Sequence, residues 1–144
     1  HWDQYATGAI IGLTRGTGKA HIARAALEAI VFRSMEVIET MVKDSGIKLN
    51  ELRVDGGATV NDLLMQIQAD SISTTVVRPK ITETTALGAA YLAGLAVGYW
   101  SSVDELKKQW QVDKKFMPEQ NSAVIEKTIR NWNKAVERSK HWSV

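Results

Sequence analysis

The residues best suited to chemistry lie in Val54-Asp55-Gly56-Gly57-Ala58-Thr59-Val60-Asn61. A short stretch that reads as a strand, Glu51 to Val54, ends here, two glycines turn the chain, and a helical pattern follows. Glycine permits backbone angles and a closeness of approach that a side chain forbids. A helix start presents N–H groups without carbonyl partners and a partial positive charge, both suited to phosphate. Thr59 reads as the N-cap, with Asp62 three residues on. Asn61 then falls in the first turn, where its amide serves a ligand as donor and acceptor. Gly56, Gly57 and Asn61 are therefore the candidate binding residues. A double-glycine turn between strand and helix also serves purely structural ends, and the residues alone leave both readings open. Asp55 has two readings as well. It could organise the loop N–H groups or hold a metal-bound water, or it could be an ordinary turn carboxylate. The stretch is not a Walker loop, because no Gly-Lys-Ser/Thr follows, and it is not the dinucleotide Gly-x-Gly-x-x-Gly pattern.

The remaining polar residues offer less. His21 begins a helical stretch and no Ser or Cys arrangement nearby supports a triad. His1, His21 and His141 lack metal-ligand spacing, so no zinc site is expected. Trp2 and Asp3 read as a loop edge near a site. Trp100, Trp110, Trp132 and Trp142 read as anchors for the last helices, or as a partner interface. Nothing here is assigned as a catalytic residue.

The elements that must position the turn follow from periodicity. Gly8 to Thr14 is a short apolar run bounded by glycine and predicts a buried strand. Arg15 to Lys19 is a turn. From about Ala20 to Asp44, Ile22, Ala26, Ile30, Met35, Ile38 and Met41 form a helical stripe, and Gly46 is a good stop. Glu51 to Val54 predicts a strand, Thr59 to Ser71 a helix, and the β-branched run Thr74 to Val77, stopping before Pro79, a third strand. Thr84 to Val97 predicts a helix whose small residues suit close packing on the sheet. Glycine inside a helix costs ~1 kcal/mol relative to alanine, so Gly88 and Gly94 point to a packing need. Val103 to Trp110 reads as a short helix, Phe116 to Gln120 as a loop, and Ser122 to Trp142 as an amphipathic helix. Alternating strands and helices imply crossovers, partly parallel strands and helices covering the sheet, an α/β architecture. No linker divides the chain.

Composition sets the frame. The 144 residues suffice for one domain with a core. An apolar fraction of 44% and a charged fraction of 24% are ordinary for a soluble globular protein. Net charge is +2 with no basic block, which argues against nucleic acid. No apolar run approaches the ~18 residues of a membrane-spanning helix. The absence of cysteine excludes a disulfide framework and fits a reducing, cytoplasmic setting. The chain lacks a starting Met and reads as a piece of a longer protein.

Three segments together resemble the C-terminal region of the FGGY carbohydrate kinase family. The first runs from Gly8 to Glu28, with Gly12-Leu13, His21-Ile22 and Ala25-Ala26-Leu27-Glu28. The second is Arg53-Val54-Asp55-Gly56-Gly57-Ala58 with Asn61, then Leu64-Met65-Gln66 and Gln68-Ala69-Asp70. The third is Val77-Arg78-Pro79 followed by Glu83 to Gly98. The matched spacing continues to about Leu106. The resemblance implies an actin-like, ribonuclease-H-like ATPase fold, incomplete in this chain, with residues 1–144 forming part of the ATP-side domain and 119–144 a C-terminal helix. It implies ATP and Mg²⁺ as cofactors, with Gly57 and Asn61 meeting the nucleotide and Gly56 beside them. The Asp-Gly-Gly-Ala-x-x-Asn form is that of the glycerol-phosphorylating members. Xylulose-phosphorylating members tend to have a third glycine in place of Asp55 and another residue in place of Asn61. The base and the glycerol-binding residues are implied to lie in an N-terminal domain, and full-length members often self-associate. The early strands of the sheet would precede His1, so open apolar surface or an exposed sheet edge is expected. The alternatives are another sugar kinase of the family and a non-catalytic actin-like nucleotide-binding module.

Overall fold

The computed structural model describes residues 3–119 and 122–141. Helix α1 (Lys19–Ser45) is followed by strand β1 (Glu51–Arg53), a 3₁₀ turn (Gly57–Val60) and helix α2 (Asp62–Ile72). Strand β2 (Thr75–Pro79), helix α3 (Thr84–Ala96), helix α4 (Val103–Lys107), strand β3 (Val112–Phe116) and helix α5 (Ser122–Ser139) complete the order.

The sheet runs β1-β2-β3. β1 and β2 are parallel, with Leu52 opposite Val76, and α2 is the crossover between them. β3 returns antiparallel along the other side of β2, with Phe116 opposite Val76 and an irregularity between Arg78 and Pro79. Proline has no N–H for the ladder. Lys80 restores pairing one residue later by donating to the Gln111 carbonyl at 2.9 Å.

The core is built around α2. Leu64, Met65, Ile67 and Ala69 meet Val31, Phe32 and Met35 of α1 and Val76 and Phe116 of the sheet. With Gln68, Asp70 and Ser71 also buried, α2 is enclosed on nearly all sides. α1 ends as expected, because Gly46 takes the left-handed conformation at φ 68° and its N–H donates to the Val42 carbonyl at 2.9 Å. α5 packs alongside through Trp132. Its ring centroid lies 5.6 Å from that of Phe32, and its indole N–H donates to Glu36 at 2.8 Å.

Four expectations are corrected. Gly8 to Thr14 is irregular and exposed, with Ile10, Ile11 and Leu13 open to solvent. A strand forms only by exchanging backbone hydrogen bonds with a neighbour, and none of the three strands lies beside it. Val112 to Phe116 is a strand that periodicity did not reveal. Its middle residues, Asp113, Lys114 and Lys115, are polar because it is an edge. The helix expected over Val103 to Trp110 stops at Lys107. Among the described residues the two glycines of α3 do not pack on the sheet. A Cβ on Gly88 would meet open space, whereas one on Gly94 would fall 2.2 Å from the Trp100 ring. Gly94 is thus needed by the Tyr99-Trp100 corner that folds back on the helix end, where Trp100 meets Tyr91 edge-on.

Apolar surface is open as the resemblance implied. Ile22, Ile30, Val37 and Met41 of α1 and Leu92 of α3 are exposed, and β1 and β3 are both edges of the described sheet. Among the described residues no helix is long and apolar enough to cross a membrane.

Candidate functional site

The candidate turn occupies the C-terminal edge of the parallel pair. In open α/β sheets this edge is where ligands bind, because the helices that follow each strand begin there. Val54 extends the ladder by donating to the Val77 carbonyl at 3.1 Å. The chain then leaves the sheet at Gly56, which has φ 85° and ψ 165°, a conformation that essentially only glycine adopts. The Gly56 N–H donates to the Thr82 carbonyl at 2.7 Å, and the Thr84 hydroxyl donates to the Asp55 carboxylate. The loop after β1 is therefore stitched to the loop after β2. Asp55 acts here as a turn carboxylate holding the start of α3.

Gly57 opens the 3₁₀ turn. It is exposed, and a Cβ placed on it would meet nothing within 4 Å. The N–H groups of Gly57 and Ala58 stand at the start of the helical turn, where no carbonyl lies one turn back to receive them. Thr59 is buried at 4% exposure, and its hydroxyl donates to the Gly56 carbonyl at 2.7 Å. It closes the turn internally and is not the helix cap.

The cap is Asn61. Its Oδ1 accepts from the Leu64 N–H at 3.0 Å, and α2 begins at Asp62. The expectation that Thr59 caps the helix and Asn61 lies in its first turn is thus moved by two residues, because Gly57 to Val60 winds tightly before the α-helix begins. The consequence is chemical. The Asn61 oxygen is engaged with the backbone, so the exposed side chain offers a ligand its Nδ2 donors.

Charge around the turn is balanced. The Asp62 carboxyl is held below its ordinary value first by Lys114, which donates at 2.8 Å, and then by Arg78, also at 2.8 Å. Arg78 reaches the Thr59 carbonyl as well, at 2.7 Å. Arg78, Thr82 and Thr84 were not singled out by sequence reasoning as site residues. Their only signal was membership of the third matched segment, Val77 to Gly98.

Other candidates lie elsewhere. His21 Nδ1 accepts from the Gly18 N–H at 3.1 Å and so caps α1. Asp3 accepts from the backbone N–H groups of His141 and Tyr5, at 2.8 and 2.9 Å, which lowers its carboxyl and ties the N-terminal segment to the end of α5. Trp110 lies under the Arg53 guanidinium at 4.4 Å. His1, Trp2 and Trp142 lie outside the described residues. A groove of about 850 Å³ runs between Ile10, Ile11, Ile22, Phe32, Trp132 and Val136. It is apolar and remote from the turn, and it continues the open surface of α1.

The fit to the implied cofactors differs between them. Open space at Gly57, free turn amides and the Asn61 Nδ2 donors suit the phosphates and polar edge of a nucleotide. Among the described residues there is no group of three or more His, Asp or Glu able to hold a metal ion, so the residues present do not form a Mg²⁺ site by themselves.

The chain is similar to known proteins. Residues 1–97 match the FGGY family of carbohydrate kinases, C-terminal domain, and the chain belongs to that family. It is 61% identical over 142 residues to glycerol kinase of Deinococcus radiodurans, an alignment covering 99% of this chain and 28% of that protein. Glycerol kinase of Oleidesulfovibrio alaskensis is 60% identical over 143 residues, covering 99% and 29%. The chain thus spans under a third of the length of these relatives. Among solved structures, glycerol kinase of Plasmodium falciparum with ADP matches with a TM-score of 0.81 and 41% identity, over 93% of this chain and 27% of that one. Xylulose kinase of Lactobacillus acidophilus matches with a TM-score of 0.82 and 26% identity, over 99% and 29%. The fold is α/β, part of the actin-like ATPase domain of these sugar kinases.

Proposed function

We propose that this chain is the nucleotide-side, C-terminal portion of an ATP-dependent glycerol kinase, in which the Gly56–Asn61 turn receives ATP. The observation that carries the reading is the 61% identity to a glycerol kinase across 99% of the chain. Shape alone does not choose the substrate, since the xylulose kinase fits the fold as well as the glycerol kinase does. Within the family, the resemblance ties the form with Asp55 and Asn61 to the glycerol-phosphorylating members, which supports the same choice. The likeness to a glycerol kinase solved with ADP supports a nucleotide as the ligand of the turn.

In this reading the γ-phosphoryl group of ATP passes to a primary hydroxyl of glycerol; Mg²⁺ would supply neutralisation of phosphate charge, and the described residues of this chain form no site for it by themselves. Phosphoryl transfer depends on positioning and on groups that stabilise charge. This chain contributes to the positioning. The Gly57 amide approaches the nucleotide closely, Asn61 donates from Nδ2, and Gly56 supplies the bend that brings both to the sheet edge. The base and the glycerol site belong to the rest of the kinase, which acts in the cytoplasm.

The test separates the two duties of Asn61. In the full-length kinase, Asn61→Ser keeps a capping oxygen for the Leu64 N–H and removes the amide donor. The KM for ATP rises by about tenfold with the KM for glycerol within about twofold, the signature of a lost nucleotide contact. Unchanged ATP affinity in a normally folded variant would reduce Asn61 to a helix cap and remove the proposal's main side-chain contact.

A further inference from the structure

Arg78 lies in β2, next to the ladder irregularity at Pro79. Its side chain is only 12% exposed. One guanidinium serves three elements. Nε donates to Asp113 of β3 at 2.7 Å, and Nη1 donates both to the Thr59 carbonyl at 2.7 Å and to Asp62, the first residue of α2, at 2.8 Å. Lys114 braces the second Asp62 oxygen at 2.8 Å. The ring of Phe116 lies 5.4 Å from the Arg78 Cζ and covers that side.

These contacts fall on both sides of Asn61. Upstream, the turn is held at Asp55 and Gly56 by Thr84 and Thr82. Downstream, its hold on the sheet is Arg78, backed by Lys114. Gly57 sits between the two anchors with nothing packed against it, so its orientation depends on them. A planar guanidinium with several donors in a fixed fork can satisfy Thr59, Asp62 and Asp113 together, and an ammonium at the same place cannot.

We propose that Arg78 is a positioning residue for nucleotide binding: by holding the Thr59 carbonyl and Asp62 against β3, it fixes the direction in which Gly57 and Asn61 face the ligand. This rests on the nucleotide reading of the turn. Arg78 does not touch the nucleotide in this scheme, and its effect passes through the backbone of residues 57–61.

The experiment uses the full-length kinase with Arg78→Met and Arg78→Lys, measuring both KM values and thermal unfolding. Arg78→Met raises the KM for ATP by about tenfold and leaves that for glycerol within about twofold, whereas a loss of general stability would move both. Arg78→Lys recovers part of the affinity, to within about threefold of the parent, because it reaches some of the three acceptors. A folded Arg78→Met enzyme with an unchanged KM for ATP, or with both KM values raised alike, would overturn the proposal. Gly57→Val is run beside it. If Gly57→Val weakens ATP binding and Arg78→Met does not, positioning by Arg78 fails alone. If neither does, the nucleotide reading of the turn fails with it. Should Arg78→Met not fold, Asp113→Asn takes its place at the exposed end of the network. A rise of about threefold in the KM for ATP is then expected, and no rise counts against the proposal.

Discussion

Two glycine-containing segments of this chain, Gly8 to Thr14 and Asp55 to Asn61, both promise structure in sequence and differ in the fold. The turn after β1 is tied to Thr82, Thr84 and Arg78 and runs into the buried α2. The earlier segment has Ile10, Ile11 and Leu13 exposed and no strand beside it. The difference lies in their partners. A turn is completed by residues close in sequence or one crossover away, and these are present. A strand is completed by a neighbouring strand, and no strand of the described sheet runs along Gly8 to Thr14.

The comparison can be tested most strongly in the core. Phe32→Ala, beneath α2 and Trp132, destabilises by about 3 kcal/mol or more, while Ile11→Ser in the isolated chain stays within about 0.5 kcal/mol. Urea unfolding of both variants measures the contrast. A large loss from Ile11→Ser would show that the segment is already packed.

The next effect isolates the ligand. A side chain on Gly57 meets open space, so Gly57→Val leaves the melting temperature nearly unchanged. If ATP approaches the turn as proposed, the same change in the full-length protein lowers ATP affinity by about 30-fold, because the Cβ would stand in its path. Isothermal titration with ATP gives the number, and unaltered affinity would place the nucleotide elsewhere.

The smallest effect concerns charge at the turn. Asp62 is held below its ordinary value of 3.8 by Lys114 and Arg78. A carboxyl depressed in the folded state contributes stability above its unfolded value, and the contribution disappears as pH falls through the lower folded value. The difference in melting temperature between the parent and Asp62→Asn is therefore constant from pH 7 down to about 5 and closes only below the ordinary carboxylate range. A difference that closes near pH 6 would point to a histidine instead.

Much of the fold was legible because its signals were local. The α1 stripe and its Gly46 stop, the two parallel strands and the crossover helix all follow from periodicity and turn residues. β3 was not legible because Asp113, Lys114 and Lys115 erase the alternation that marks a half-buried strand. The role of α3's glycines was misread because helical spacing shows that small residues are wanted and not by what. Gly94 answers to Trp100, six residues away, and Gly88 to nothing in the described chain. At the candidate turn, Gly56, Gly57 and Asn61 stood out by residue type as candidates. The change of Asn61 into a cap could not, since one tight turn between Gly57 and Val60 decides it. Arg78 was invisible for a different reason. Its partners at 59, 62 and 113 come together only when the sheet closes.

The enclosure of α2 has a mechanical consequence. A helix gripped by α1, the sheet and α5 behaves as a rigid rod, and Asn61 is fastened to its tip. The Gly56–Asn61 turn is thus tied to an element whose body lies in the core. The packing that encloses α2, Phe32 included, therefore also sets where Asn61 stands.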